Sequence, residues 1–281
     1  MKKILLTLII SLFCFNLYSQ SANELFNQSI KYANANDLKK AEKITKELIK
    51  NYPNDEDIHL YWNNLGAFQS NQGNNKEALK SFSKSFELND KYGVALLNRA
   101  KTYRDLEQFD NAIIDYKNVI KLDTNNEEAL FDLAMLLSKR EDYANAQVYY
   151  EKLIASNPEE NYPAAINLVI VKKRQGDLDG ALSDMNKLIE KIPSNEFLYE
   201  NRANVYNNRA DILMNMKRYD EAFVDIEKSL ALEPDYVTAI ITKGEIYYFQ
   251  GDYGNACIFF KIAQSKGAPR EKLEKYLKNC K

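Results

Sequence analysis

The chain has 281 residues, with 38 Lys+Arg against 40 Asp+Glu and a formal charge of −2. That balance gives no electrostatic reason to bind nucleic acid or an anionic membrane, and a single histidine, His59, leaves almost no material for a zinc site or histidine-based catalysis. Nine Gly and six Pro are too few for a turn-rich β fold and favour long helices.

The N-terminus opens with Lys2 and Lys3, an apolar run from Ile4 to Phe15, and then the polar stretch Asn16 to Gln20. This order predicts a secretory signal peptide over residues 1–19, cut between Ser19 and Gln20. The run is too short to span a bilayer, which needs about 20 residues. Lipidation at Cys14 would want a small residue before it, and Phe13 is large, so Cys14 is expected to leave with the leader. The mature chain is then expected to be exported, periplasmic or secreted, to hold no integral membrane segment, and to carry a charge of −4.

From residue 20 onward one pattern recurs. An alanine follows a polar or small pair at Ala41, Ala78, Ala112, Ala146, Ala181, Ala222 and Ala256. Four residues later comes a large apolar side chain: Phe82, Tyr116, Tyr150, Met185, Ile226 or Phe260. Twelve residues later comes Pro53, Pro158, Pro193 or Pro234. Upstream lie Trp62-x2-Leu65-Gly66, Leu96-x2-Arg99-Ala100-x2-Tyr103, Leu130-x2-Leu133-Ala134 and Ile240-x2-Lys243-Gly244-x2-Tyr247. A period near 34 residues is the mark of stacked units, each too small to bury its own apolar face.

The pattern resembles the tetratricopeptide repeat, W-x2-L-G-x2-Y followed by A-x3-F and P. The resemblance implies an all-α, right-handed α-solenoid of about seven helix–turn–helix repeats. They are placed at about 22–55, 59–92, 93–126, 127–160, 162–195, 196–236 and 237–269, in a single domain over 20–281. The first keeps only Leu25, Ser29, Tyr32, Ala41 and Pro53, as suits a terminal unit packed on one side. The sixth is seven residues longer, and its near-duplicated Asn201–Asn207 and Asn208–Met214 stretches predict one extended helix over about 196–216. Residues 270–281 are expected to form a capping helix, with Leu273, Tyr276, Leu277 and Cys280 on one stripe.

The resemblance also implies that the first helix of each unit lines a concave groove and that its sixth position points inward. Those positions hold Asn27, Asn64, Asn98, Asp132, Asn167, Asn208 and Thr242. Five of the seven are Asn, against 31 Asn in the whole chain, so the position is enriched. Asn is a poor helix-interior residue, but its amide offers a donor and an acceptor together and suits a peptide backbone. Lys101, Arg104, Lys139, Lys173 and Arg174 fall at inward or rim positions of the middle repeats, and Glu245, Tyr248 and Phe249 do so at the C-terminal end. The complete lysine and asparagine set of a carboxylate clamp is not found.

Cys257 and Cys280 are expected to meet in a disulfide if the cap runs back along the last repeat helix. No nucleophile elbow, phosphate loop or metal-ligand spacing is seen. The expected function is a non-enzymatic scaffold, with no cofactor or metal, that binds an extended peptide or partner subunit in the groove. The alternative is a permanent structural subunit of a cell-envelope assembly.

Overall fold

A computed structural model describes residues 22–278 and 280; the signal-peptide reading and Cys14 lie outside them. The described chain is helical and divides into two compact units that meet between Leu136 and Leu137. The first unit carries α1 (22–34), α2 (Leu38–Asn51), α3 (Ile58–Asn71), α4 (Asn75–Leu88), α5 (Gly93–Asp105), α6 (Phe109–Leu122) and most of α7 (Glu127–Lys139). The second carries α8 (Tyr143–Ser156), α9 (Tyr162–Gln175), α10 (Leu178–Lys191), α11 (Glu196–Glu200), α12 (Arg202–Asn215), α13 (Tyr219–Leu232), α14 (Val237–Phe249), α15 (Tyr253–Ser265) and α16 (Arg270–Leu277).

The helices come in pairs, and the turn inside each pair is chemically simple. One residue takes left-handed backbone there: Asn36, Gly73, Glu107, Glu141, Gly176, Lys217 or Gly251, with φ from 57° to 86°. An aspartate then caps four of the second helices, Asp37, Asp142, Asp177 and Asp252 each accepting a backbone N–H three residues on. Within each unit a second helix lies between its own first helix and that of the next pair, as α4 does between α3 and α5 and α13 between α12 and α14. First helices also touch one another: α3 meets α5, and α12 meets both α9 and α14. The result, in each unit, is one layer of first helices and one of second helices.

The alanine-plus-four pattern is the contact that joins the layers. A β-carbon at Gly66 would stand 2.7 Å from the Phe82 ring, and one at Gly244 2.7 Å from the Phe260 ring. The ring therefore fills the space that glycine vacates, and both rings are buried. Serine bonds repeat too: Ser85 donates to the carbonyl of His59 at 2.6 Å, and Ser229 to that of Ala203 at 2.8 Å.

The sixth repeat departs from expectation. Instead of one helix over 196–216, α11 ends at Glu200 and α12 starts at Arg202, with Asn201 between them at φ −95° and ψ 14°. Two causes are visible. The Asn201 side-chain amide donates to the carbonyl of Phe197 at 2.8 Å, an alternative to the helix ladder that Asn often takes. Leu198 is fully buried among Val205, Ile192 and Met185, which fixes α11 against the core. The extra residues form a short separate helix, leaving Phe197 and Tyr199 exposed.

Candidate interaction face

The sixth-position residues hold equivalent places on the first helices within each unit, but the structure divides them by what they already bind. In the first unit Asn27 is exposed and Asn64 half-buried, and neither makes a side-chain hydrogen bond among the described residues. Asn167 of the second unit is likewise half-buried and uncommitted. Asn98 donates to Oδ1 of Asn63 at 3.0 Å, and Asn208 to Oδ1 of Asn204 at 3.0 Å, so each keeps a carbonyl oxygen. Asp132 is not available. It is buried, and its Oδ2 accepts from Arg104 at 2.8 Å and from the Tyr116 hydroxyl at 2.8 Å. Burial, reinforced by Asp132, pushes the Tyr116 hydroxyl well above the tyrosine range, so it stays a donor. Thr242 donates to the carbonyl of Thr238 at 3.1 Å.

Three of the five basic residues of the face are consumed in the same way, while Arg174 is exposed and pairs with no acid among the described residues. Lys101 pairs with Glu128 of the next first helix, Arg104 with Asp132, and Lys173 with Asp211. These pairs cancel the basic character that their sequence positions suggested, because the acid comes from a helix 27 to 38 residues away in the chain. What stays open on the face is mainly amide.

Behind it lies a set of polar contacts that position counting missed. Arg99 replaces the leucine of the repeat pattern and forms a two-pronged bond to Asp115, 2.7 and 2.8 Å, with a third bond of 2.9 Å to Ser83 of α4. Arg209 does the same with Asp225, 2.6 and 2.8 Å, and reaches Asn186 of α10 at 2.9 Å. The carboxylates are 3% and 2% exposed, so these are interior pairs. The bond to Asp115 raises the pKa of Arg99, and Asp225 does so for Arg209. The sequence held a signal for both: an Arg at the leucine position with an Asp sixteen residues on, twice.

At the C-terminal end Cys257 and Cys280 are joined by a disulfide, Cα to Cα 5.5 Å, which ties the end of the cap to α15. Tyr276 of α16 stacks on Phe260, ring centroids 4.6 Å apart, and donates to Glu245 at 2.7 Å. Among the described residues no group of three His, Cys, Asp or Glu is placed to hold a metal, and no helix is long and apolar enough to cross a membrane.

Helix pairs of about 34 residues, joined by a small-residue-to-ring contact and stacked through their first helices, define a class of repeat scaffold. Models of the tetratricopeptide repeat match residues 25–55, 60–92, 94–126, 127–160 and 203–236, and the chain belongs to that family. The match at 203–236 begins after α11, in agreement with the insertion described above. The pairs α9/α10 and α14/α15 carry the same architecture. A tetratricopeptide repeat protein from Parabacteroides merdae is similar in structure, with a TM-score of 0.68 and 27% identity over 92% of this chain and 98% of that one. YrrB, described as a TPR protein with an unusual peptide-binding site, shares the fold at a TM-score of 0.58 and 19% identity, over 70% of this chain and 95% of its own. The Hsp70-Hsp90 organizing protein of Triticum aestivum is 24% identical over 72% of this chain and 40% of its own length. The chain spans less than half the length of the curated relatives it matches first. The family supports a protein-interaction scaffold.

Proposed function

We propose that this scaffold is exported, has no catalytic activity, and holds an extended peptide or a segment of a partner subunit along its first-helix face. One observation carries the reading: Lys101, Arg104 and Lys173 of that face are spent on Glu128, Asp132 and Asp211, while the amides of Asn27, Asn64 and Asn167 are not engaged among the described residues. A face that offers amides and few free charges is suited to peptide backbone, whose C=O and N–H are the same for every sequence. The peptide-binding site named for YrrB agrees with this use of the fold. Export is supported by the Cys257–Cys280 disulfide, a bond that persists in oxidising compartments.

The test is capture of fluorescent decapeptides of random sequence by the wild type and by the Asn27→Ala, Asn64→Ala double variant, both changes lying in the first unit. Two lost backbone bonds predict capture weaker by about tenfold, with unchanged helical circular dichroism. Undiminished capture would show that the amides do not hold the peptide. Export is tested separately, by the N-terminal residue of the chain recovered from the envelope fraction, which should be Gln20.

A second reading, a permanent structural subunit, rests on the second helices. Ile114 of the first unit and Val148, Val224 and Ile258 of the second occupy the same position, two residues after the central alanine, and each is more than half exposed. Such a recurrent apolar position suits a fixed contact. A salt-resistant, stoichiometric partner lost on changing these residues to Ser would favour it.

A further inference from the structure

At the C-terminal end of the second unit, the first-helix face departs from the charge pairing found elsewhere. Asp211 of α12 and Glu245 of α14 hold equivalent positions in successive repeats. Asp211 is fully engaged, paired with Lys173 and accepting from Asn215 at 3.0 Å. Glu245 is half-buried, its Oε1 accepts from Tyr276 at 2.7 Å, and Oε2 has neither a donor nor a cation among the described residues. Lys173 and Lys275 both act on Glu245 through their charge, but among the described residues neither forms an ion pair with it.

Aromatic rings stand beside this carboxylate. Tyr248 and Phe249 follow Glu245 by three and four residues, on the same helical face. Tyr248 makes edge-to-face contacts with Phe249, Tyr253 and Tyr276, centroids 5.7, 5.2 and 5.0 Å apart. Phe249 and Tyr253 are 51% and 53% exposed, so two rings of the wall present surface to solvent. The wall already attracts one cation: Lys275 Nζ lies 4.4 Å from the Tyr276 centroid. Burial is the main influence raising the Glu245 carboxyl, and Asp211 adds to it, together outweighing the Tyr276 hydrogen bond and the charges of Lys275 and Lys173. A positive charge at Oε2 would relieve both.

We infer that Glu245, with the rings of Tyr248, Phe249 and Tyr253, receives one cationic side chain of the bound polypeptide, an arginine. Arginine fits better than lysine because a guanidinium donates to a carboxylate oxygen and lies on an aromatic face at once. The inference rests on the peptide-binding reading and adds a charge preference at one end of the face.

The experiment titrates the isotope-labelled, oxidised protein with acetyl-Ala-Ala-Arg-Ala-Ala-amide and with its citrulline twin, which keeps the shape and loses the charge. Backbone amides between Glu245 and Tyr253 should shift, with the arginine peptide binding about fivefold tighter or more. Glu245→Gln keeps an oxygen for Tyr276 and should abolish that preference without loss of helicity. Equal binding of the twins, a preference that survives in Glu245→Gln, or no shift in this segment each overturns the site. Decapeptide capture judges the wider reading: if capture depends on Asn27 and Asn64 but the twins bind alike, only the arginine site falls. If the arginine preference holds while the capture test fails, the site stands without the extended groove.

Discussion

Repeat three (α5/α6) and repeat seven (α14/α15) are built on one plan and solve the same polar problem differently. In repeat three the cation at the leucine position, Arg99, turns inward to a nearly inaccessible Asp115, and Lys101 and Arg104 on the face are matched by Glu128 and Asp132 of the following first helix. In repeat seven the cation at the leucine position, Lys243, meets the exposed Glu227 and lies 4.6 Å from the Phe259 centroid. Its face carboxylate, Glu245, receives a tyrosine hydroxyl and the through-space charge of Lys275 from the cap but, among the described residues, no ion pair. The difference is the neighbour. A repeat followed by another repeat has its charges completed by it; a repeat followed by a cap does not. The polarity of the face is therefore a property of adjacent pairs.

The largest effect should come from breaking the interior pair. Asp115→Ala strands the Arg99 guanidinium and should cost about 3–5 kcal/mol in denaturant unfolding of the first unit. Glu227→Ala, which removes the acid that α13 offers to Lys243 of repeat seven, should cost below about 1 kcal/mol because Glu227 is itself exposed. Replacing both interior partners, Arg99→Leu with Asp115→Tyr, gives repeat three the residues that repeat four carries as Leu133 and Tyr149. It should recover most of the loss, since apolar replacement of a buried pair is often neutral. Failure to recover would mean that the third bond, to Ser83, contributes more than the pair.

Reduction should come next, and should act at the other end. The Cys257–Cys280 bond closes a loop with a sequence separation of 23, for which chain entropy gives about 3 kcal/mol. Adding reductant should lower the melting of α14–α16 and expose the cap to protease, leaving the effect of Asp115→Ala unchanged. Free thiols found in the native, unreduced protein would remove the fastening from the comparison.

A third contrast concerns close packing. Repeat seven sets Gly244 against Phe260, while repeat three carries Ala100 with Tyr116 sixteen residues on. Gly244→Ala puts a methyl 2.7 Å from a fully buried ring and should cost about 1–3 kcal/mol. Ala100→Gly should cost about 0.5–1 kcal/mol, the ordinary penalty for glycine in a helix. Similar losses by thermal melting would show that the ring, not the glycine, sets the spacing.

These contrasts also mark how far the residues could be read. The repeat unit was legible because its determinants, Ala112 with Tyr116 or Gly244 with Phe260, recur at fixed separations in the chain. The turns at Gly73, Gly176 and Gly251 were legible for the same reason. Those at Glu107, Glu141 and Lys217 were not, because stacking holds a non-glycine residue in left-handed backbone there. The break at Asn201 was hidden because it depends on Leu198 reaching a core that only the folded repeats create. The division between Leu136 and Leu137 left no trace because it falls inside α7. The inward row of Asn27, Asn64, Asn98, Asp132, Asn167 and Asn208 was placed by family pattern alone. Which of them stay uncommitted depended on partners such as Arg104 and Tyr116, reached only across helices.

The smallest effect tests the asymmetry most directly. Glu245 has its folded-state carboxyl raised above the ordinary 4.5, chiefly by burial and then by Asp211 of α12, against the lowering influence of Tyr276 and Lys275 of α16 and Lys173 of α9, so it holds its proton more tightly folded than unfolded. Its stabilising contribution is complete below pH 4.5 and is lost as pH rises through the folded value. At neutral pH the ionised side chain is a burden that Glu245→Gln removes while leaving an oxygen for Tyr276. The variant should therefore melt higher than wild type at pH 7, by on the order of 1 kcal/mol, and the two should converge near pH 4. Saturating arginine peptide should narrow the gap at pH 7, by supplying the cation that repeat three receives from its neighbour. If wild type and variant melt alike from pH 4 to 8, Glu245 is not unpaired in solution, and the cap completes repeat seven as fully as α7 completes repeat three.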